Sequence, residues 1–181
     1  MYKSIVKPTL ALVIICVIVS GLLAFTYNFA RIAELGNGID AKKLDEIKID
    51  VLPKSTKLVF NDFKFSTSDV LGVYIDEGKN GTAIFVSSKG YAGDIKILVG
   101  FDNEGKITGS KTIETKESPG IGTKTEQKSF TDNFVGKKEK VATKKDGGEI
   151  DFIAGATISS RAYTNAINTA MSAYKEYVAT K

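Results

Sequence analysis

Two short stretches of this sequence hold groups that could do chemistry. The first is Asp151-Phe-Ile-Ala-Gly155-Ala156-Thr157-Ile158-Ser159-Ser160. Glycine followed by small and hydroxyl residues is what a helix start prefers. One reading is therefore a strand, a Gly turn and a helix N-capped by Ser159 or Ser160. The other reading is chemical. Thr157 offers a hydroxyl beside a helix N-terminus, where unpaired N–H groups and the positive dipole end favour an anion. A phosphate, free or esterified, could be held there, and Gly155 and Ala156 leave its approach uncrowded. The second stretch is Glu117-Ser118-Pro119-Gly120-Ile121-Gly122-Thr123. Pro-Gly signals a type II turn, and Gly122 adds a second permissive position. It reads either as an ordinary surface turn or as a loop that lays backbone groups against a flat ligand.

The residues that are absent narrow the chemistry further. The 181-residue chain has no His and no Trp, and its single Cys is Cys16. That excludes a Ser/His/Asp triad, a Cys/His pair, an imidazole proton shuttle, an intrachain disulfide and a thiolate-held metal or cluster. Redox chemistry would need a borrowed cofactor. Lys+Arg is 25 and Asp+Glu 21, and two of the basic residues, Lys3 and Lys7, precede residue 31. The remainder is close to neutral and lacks the clustered basic face of a nucleic-acid binder.

Residues 8–30, between Lys7 and Arg31, carry no charge. Twenty-three residues at helical rise reach roughly 35 Å, enough for a hydrocarbon core of about 30 Å. Tyr27 and Phe29 fall where an interfacial aromatic belt would sit, and Ser20 and Gly21 suit helix–helix packing. A cleaved signal peptide is the competing reading, but the apolar run is long for one, and Ala30 has Asn28 where an A-x-A site needs a small residue. The expectation is a single-pass anchor over 1–30 with a cytoplasmic N-terminus and the remainder on the outer face.

The elements that must position the two stretches follow from periodicity. Residues 31–55 read as a polar linker with a short helix near Ala41–Ile49. Its Gly36-Asn-Gly38-Ile-Asp-Ala41 run lacks the preceding strand that a dinucleotide fingerprint needs. Residues 56–181 read as one α+β domain. Val73–Ile75 and Ala83–Val86 flank an Asn80-Gly81 hairpin signal. Ile95, Ile97, Val99 and Phe101 alternate along a further strand, Asp102-Asn-Glu-Gly105 turns the chain, and another strand spans Ile107–Ile113. These runs predict an antiparallel sheet with one buried face. Phe130 and Phe134 predict a helix near Glu126–Val135, and Lys137–Lys140 with Lys144-Lys145 read as a solvated loop or strand edge, with a partner-docking patch as the alternative. Tyr163, Ile167, Ala170, Tyr174 and Tyr177 mark one face of a C-terminal helix.

Taken together, the anchor, Gly90-Tyr91-Ala92-Gly93-Asp94-Ile95-Lys96, the Pro-Gly loop and the 151–157 stretch resemble a family. They are similar to the G subunit of the Rnf electron-transport complex, a membrane-anchored FMN-binding protein, and to the related C subunit of the sodium-pumping NADH:quinone reductase. The resemblance implies FMN bound covalently by a phosphoester to Thr157, installed by a flavin transferase that reads a motif led by Asp151. It also implies that Glu117, Ser118, Gly120, Ile121, Gly122, Gly155, Ala156, Ile158 and Ser159 surround the flavin. The implied role is electron relay, without turnover by the chain alone, among the other subunits of a cell-membrane complex that couples ferredoxin:NAD electron transfer to ion translocation. Against the family pattern, Ala154 stands for Ser or Thr, Ser118 for Thr, Ile121 for Leu and Thr115 for a frequent His. The rival expectations are a non-redox membrane-anchored adaptor or ligand-binding module, and a free-standing reductase acting on a small acceptor.

Overall fold

The computed structural model describes residues 10, 12–26 and 38–180. The chain divides into two units, Met1–Gly38 and Ile39–Lys181. In the first, residues 12–26 form helix α1, whose large apolar side chains are exposed. Among the described residues no helix is long and apolar enough to cross a membrane. The expected span over 8–30 includes residues 8, 9, 11 and 27–30, which lie outside the described residues.

The second unit is built on an antiparallel meander: β1 (Leu58–Asn61), β2 (Val70–Asp76), β3 (Thr82–Lys89), β4 (Asp94–Phe101) and β5 (Ile107–Thr115), in that spatial order. Alternation sends Ile84 and Val86 of β3 and Ile95, Ile97, Val99 and Phe101 of β4 to one face. The long helix α4 (Thr157–Ala179) covers that face with Tyr163, Ile167, Ala170 and Tyr177. The α+β class and the antiparallel sheet are as the sequence predicts, but the single buried face is not. Ala83 and Phe85 of β3 and Leu98 of β4 form a second core on the opposite face, under Leu44, Ile47 and Val51 of α2 (Ala41–Val51).

Helix α2 is therefore a packed element, where the sequence suggested a short helix within a linker. Its mixed composition hides three apolar residues at helical spacing, and Asp40 caps it by accepting from the Lys42 and Lys43 N–H groups. Its C-terminal turn lies directly on the sheet. A Cβ at Gly100 or Gly109, which are cross-strand partners, would come within 2.1 Å of the Val51 or Asp50 carbonyl oxygen. Thr108 Oγ1 donates to the Val51 carbonyl at 2.6 Å.

The β2–β3 hairpin forms where Asn80-Gly81 predicts it, but by a different device from a two-residue turn. Lys79 takes the left-handed conformation (φ 59°), and the buried Asp76 carboxylate organises the loop. Its Oδ1 accepts from Ser55 Oγ, Thr56 N and Oγ1, and Lys57 N, and its Oδ2 from Asn80 N and Nδ2.

The helix expected near 126–135 is broken into single turns: a 3-10 turn at Gly122–Glu126, α3 at Lys128–Thr131 and a 3-10 turn at Asp132–Phe134. Thr131, Asp132 and Asn133 are weak helix formers, and Asn133 turns its amide back onto the Ser129 and Phe130 carbonyls. The predicted Phe130–Phe134 pair forms edge-on at 5.5 Å, and both rings meet Tyr163 of α4. This ties the segment after the Pro-Gly loop to the first turns of α4.

Candidate functional site

Antiparallel register brings the two chemical stretches together. Ile95 at the start of β4 pairs with Thr115 at the end of β5. The turn before β4, Gly90–Gly93, therefore lies beside the segment leaving β5, which begins with Lys116 and Glu117. Helix α4 starts at the same end. The three segments are joined by the Glu117 side chain, which is only 4% exposed. Its Oε1 accepts from Tyr91 N at 2.7 Å and Ala92 N at 3.0 Å, and its Oε2 accepts from Ser159 Oγ. A Cβ at Gly90 would lie 2.3 Å from Oε1, and one at Gly122 would lie 2.6 Å from Oε2. The two glycines leave the space that the carboxylate fills.

Between these segments opens a cleft of about 540 Å³, within the range of small-molecule sites. Its lining on the loop side is Glu117, Ser118, Ile121 and Gly122, and on the helix side Gly155, Ala156, Thr157, Ile158 and Ser159. Nine of the residues singled out from sequence thus share one cleft. The other two lie off it. Gly120 is at the exposed tip of the loop with φ 74°, the conformation that the third residue of a type II turn requires. Asp151 is exposed and pairs with Lys144 Nζ at 2.6 Å.

Thr157 is the first residue of α4 and is half-buried. The N-cap position is Ala156, with no side-chain cap. Neither Ser159 nor Ser160 takes the capping role the sequence offered them. Both lie past the N-cap position, inside the first turn: Ser159 Oγ donates to Glu117, and Ser160 Oγ donates to the Ala156 carbonyl and accepts from Ile153 N. The first-turn N–H groups of a 23-residue helix are thus left without a side-chain acceptor. Lys145 Nζ donates to Thr157 Oγ1 at 3.5 Å and sits 5.5 Å from the centre of the Phe152 ring, within cation–π range. Arg161, one turn along α4, is forked onto Asp146. That ion pair and a hydrogen bond from Thr143 hold the Asp146 carboxyl down to about 2.

Sequence reasoning missed two residues here. Tyr91 lines the cleft; its motif was among those carrying the resemblance, but the residue was not singled out for the site. Lys145 was read with its neighbours as a solvated loop, and its contact with Thr157 needs the chain to double back between the Thr143–Ile150 bridge and α4.

Comparisons with known proteins fall on the same residues. An FMN-binding domain family matches residues 90–172, which includes the β3–β4 turn, the Pro-Gly loop and the start of α4. The G subunit of the ion-translocating oxidoreductase complex of Shewanella piezotolerans is 31% identical over 98% of this chain and 92% of its own length. The chain belongs to this G-subunit family. The Aliivibrio fischeri member is 27% identical over 98% of this chain and 93% of its own. The Haemophilus influenzae member is 42% identical over a shorter stretch, 42% of this chain and 41% of its own. A crystal structure of the C subunit of the Na(+)-translocating NADH-quinone reductase from Parabacteroides distasonis shares the fold, with a TM-score of 0.51 at 24% identity over 60% of this chain and 61% of that one. The resemblance read from the sequence thus holds. Of the motifs that carried it, the Gly90–Gly93 turn, the Pro-Gly loop and the Gly155–Thr157 stretch meet at one end of the sheet.

Proposed function

We propose that this chain is an electron-carrying subunit of an ion-translocating oxidoreductase complex, with FMN attached by a phosphoester to Thr157. The observation that carries the reading is the position of one hydroxyl. Thr157 Oγ1 opens on the cleft at the uncapped start of α4, with the Lys145 ammonium beside it. In forming the link, the Thr157 hydroxyl would replace the nucleotide half of a flavin dinucleotide on the flavin-side phosphorus, the displaced nucleoside monophosphate leaving with the hydroxyl proton, in a reaction run by a flavin transferase. The phosphodiester keeps a negative charge, which the helix N-terminus and Lys145 offset. FMN fits the cleft in chemical kind: a cationic, N–H-rich end at Thr157 and apolar groups, Tyr91, Ile121 and Ile158, along the rim.

When bound, FMN supplies redox chemistry to this unit, which has no Cys, His or Trp. The chain's own residues tether, orient and partly shield it. Asp151, away from the cleft and exposed, is available to a transferase and not to the flavin. Residues 8–30 would anchor the chain as a single span, with the N-terminus cytoplasmic and the flavin domain on the outer face. The partners are the other subunits of a complex that passes electrons between ferredoxin and NAD. The full chain co-expressed with a flavin transferase is expected to gain the mass of one FMN less one water and to fluoresce in a denaturing gel. Thr157→Ala is expected to do neither. An unmodified wild-type mass would sink the reading in favour of an adaptor.

A further inference from the structure

The most exposed large hydrophobic side chain among the described residues is Tyr91, at 70%. Exposure alone would mark an idle surface residue, but its backbone is held unusually firmly. The N–H groups of Tyr91 and Ala92 both donate to the buried Glu117 carboxylate, and Gly90 N donates to the Gly93 carbonyl at 2.8 Å. Gly90 has no room for a Cβ, and a Cβ at Gly93 would press on the Lys116 side chain at 3.1 Å. A turn fixed at this many points carries an aromatic ring at the edge of the cleft. Across the loop and helix sides of that cleft, Ile121 and Ile158 are each 51% exposed. Water-exposed apolar groups lining the same cleft as the Thr157 hydroxyl leave a slot suited to a flat ring.

We propose that Tyr91 is the aromatic wall on which the flavin ring rests, and that Glu117, whose oxygens are occupied by protein donors, acts by holding that wall in place and not by touching the flavin. This rests on the reading of Thr157 as the attachment point. Thr157 fixes the phosphate end, and Tyr91 limits where the other end of the tethered group can lie. Aromatic faces stack in offset geometry, and a tyrosine costs little rotamer entropy when it does so. A phenol in contact with an excited flavin also donates an electron to it and quenches its emission. The contact therefore has an optical signature independent of electron-transfer activity.

The test uses the full chain co-expressed with a flavin transferase, as wild type, Tyr91→Leu and Tyr91→Phe, with intact mass counting FMN on each. Flavin emission yield and time-resolved anisotropy are then recorded. In wild type the ring should be quenched and tumble with the protein. Tyr91→Leu should raise the emission several-fold and add a fast wobble. Tyr91→Phe should raise the emission but keep the slow tumbling, since the ring remains while the phenol is lost. FMN on every chain, with Tyr91→Leu matching wild type in both observables, overturns the proposal and leaves the Thr157 reading intact. FMN on wild type and Tyr91→Phe but not on Tyr91→Leu supports it, because the ring is then needed to seat the flavin. FMN on neither variant overturns it, because the phenol then serves the transferase. An unflavinylated wild type overturns both readings together.

Discussion

If Glu117 is a strut, its loss should be felt in the fold as well as at the site, and a neutral isostere should repair most of the damage. Glu117→Ala removes the acceptor of three hydrogen bonds, from Tyr91 N, Ala92 N and Ser159 Oγ. Bonds to a charged group contribute about 1.5–3 kcal/mol each, but the cleft admits water to some of the freed donors, so a net loss of about 3 kcal/mol is expected. For a unit of this size that lowers Tm by ~10 °C. Glu117→Gln can keep all three contacts. Its carbonyl oxygen accepts from the two backbone N–H groups, and its amide donates to Ser159 Oγ with the direction of that bond reversed. Exchanging charge-assisted for neutral bonds should cost ~1 kcal/mol. The assays are thermal unfolding of the unflavinylated full chain and amide exchange at Tyr91 and Ala92, which should quicken in the Ala variant and stay slow in the Gln variant. Equal damage from both substitutions would refute the reasoning, since the negative charge and not the set of contacts would then matter. So would an Ala variant as stable as wild type.

Other perturbations separate the site from the scaffold. Lys145→Gln should leave the Tm of the unflavinylated chain unchanged, because the side chain is exposed, but should lower the yield of flavinylated protein, and Lys145→Arg should restore it; intact mass against transferase reaction time reads both. Gly109→Ala would push a Cβ to 2.1 Å from the Asp50 carbonyl, so α2 must lift; a loss of about 1–3 kcal/mol in urea unfolding and faster amide exchange in α2 are expected, with flavinylation retained. Asp76 governs the acid limb. Burial pushes its carboxyl up, but the hydrogen bonds from Ser55, Asn80 and Lys57 outweigh this and hold it below the ordinary carboxylate value. Its stabilising contribution is therefore complete above the unfolded value of ~3.9 and is lost as pH falls below it. Asp76→Asn should unfold more readily at neutral pH and show a flatter dependence between about pH 4 and 2.

The legible parts of this chain were those with one dominant signal. Period-2 alternation from Ile95 to Phe101 marked β4, and the tyrosine-bearing face from Tyr163 to Tyr177 marked α4. The Pro-Gly and Gly-Ala-Thr stretches pointed to two sides of the cleft from residue types alone. What stayed hidden needed information that is not local. Helix α2 shows only Leu44, Ile47 and Val51 among charged neighbours, and its role depends on a second apolar sheet face that Ala83, Phe85 and Leu98 supply from three strand positions. The N-cap expectation failed because α4 starts two residues before Ser159, so both serines fall inside its first turn, where Ser159 donates to Glu117, 42 residues earlier in sequence. Lys145 gave no sign in sequence of being different from the lysines around it.

The meander also explains why the site and its supports can be perturbed apart. The antiparallel pairing of β4 and β5 puts the Gly90–Gly93 turn and Glu117 at one end of the sheet, and the Asp102–Gly105 turn at the other. Helix α4 runs between those ends: Ser159, in its first turn, bonds Glu117, and Tyr174 Oη, near the other end of the helix, donates to the Asp102 carbonyl while its ring stacks on Phe101 at 4.8 Å. Between them, α4 is fixed by Tyr163, whose hydroxyl meets Ser110 at 3.0 Å and whose burial pushes it up to about 12. The start of α4 is therefore positioned by Glu117 and Tyr163, with the Tyr174 contacts securing the far end, and a group attached to Thr157 would be held by a helix and not by a loop. A carrier that exchanges electrons over distance benefits from such fixity, because a flavin that wandered by a few ångströms would change its distance to every partner at once. On this argument, loosening the far end with Tyr174→Ala should lower stability through the lost stacking and hydrogen bond, yet leave flavin emission and anisotropy nearly unchanged while the chain remains folded. A flavin that loosened in step with the far end would show that the anchoring at Tyr163 and Glu117 does not hold the site on its own.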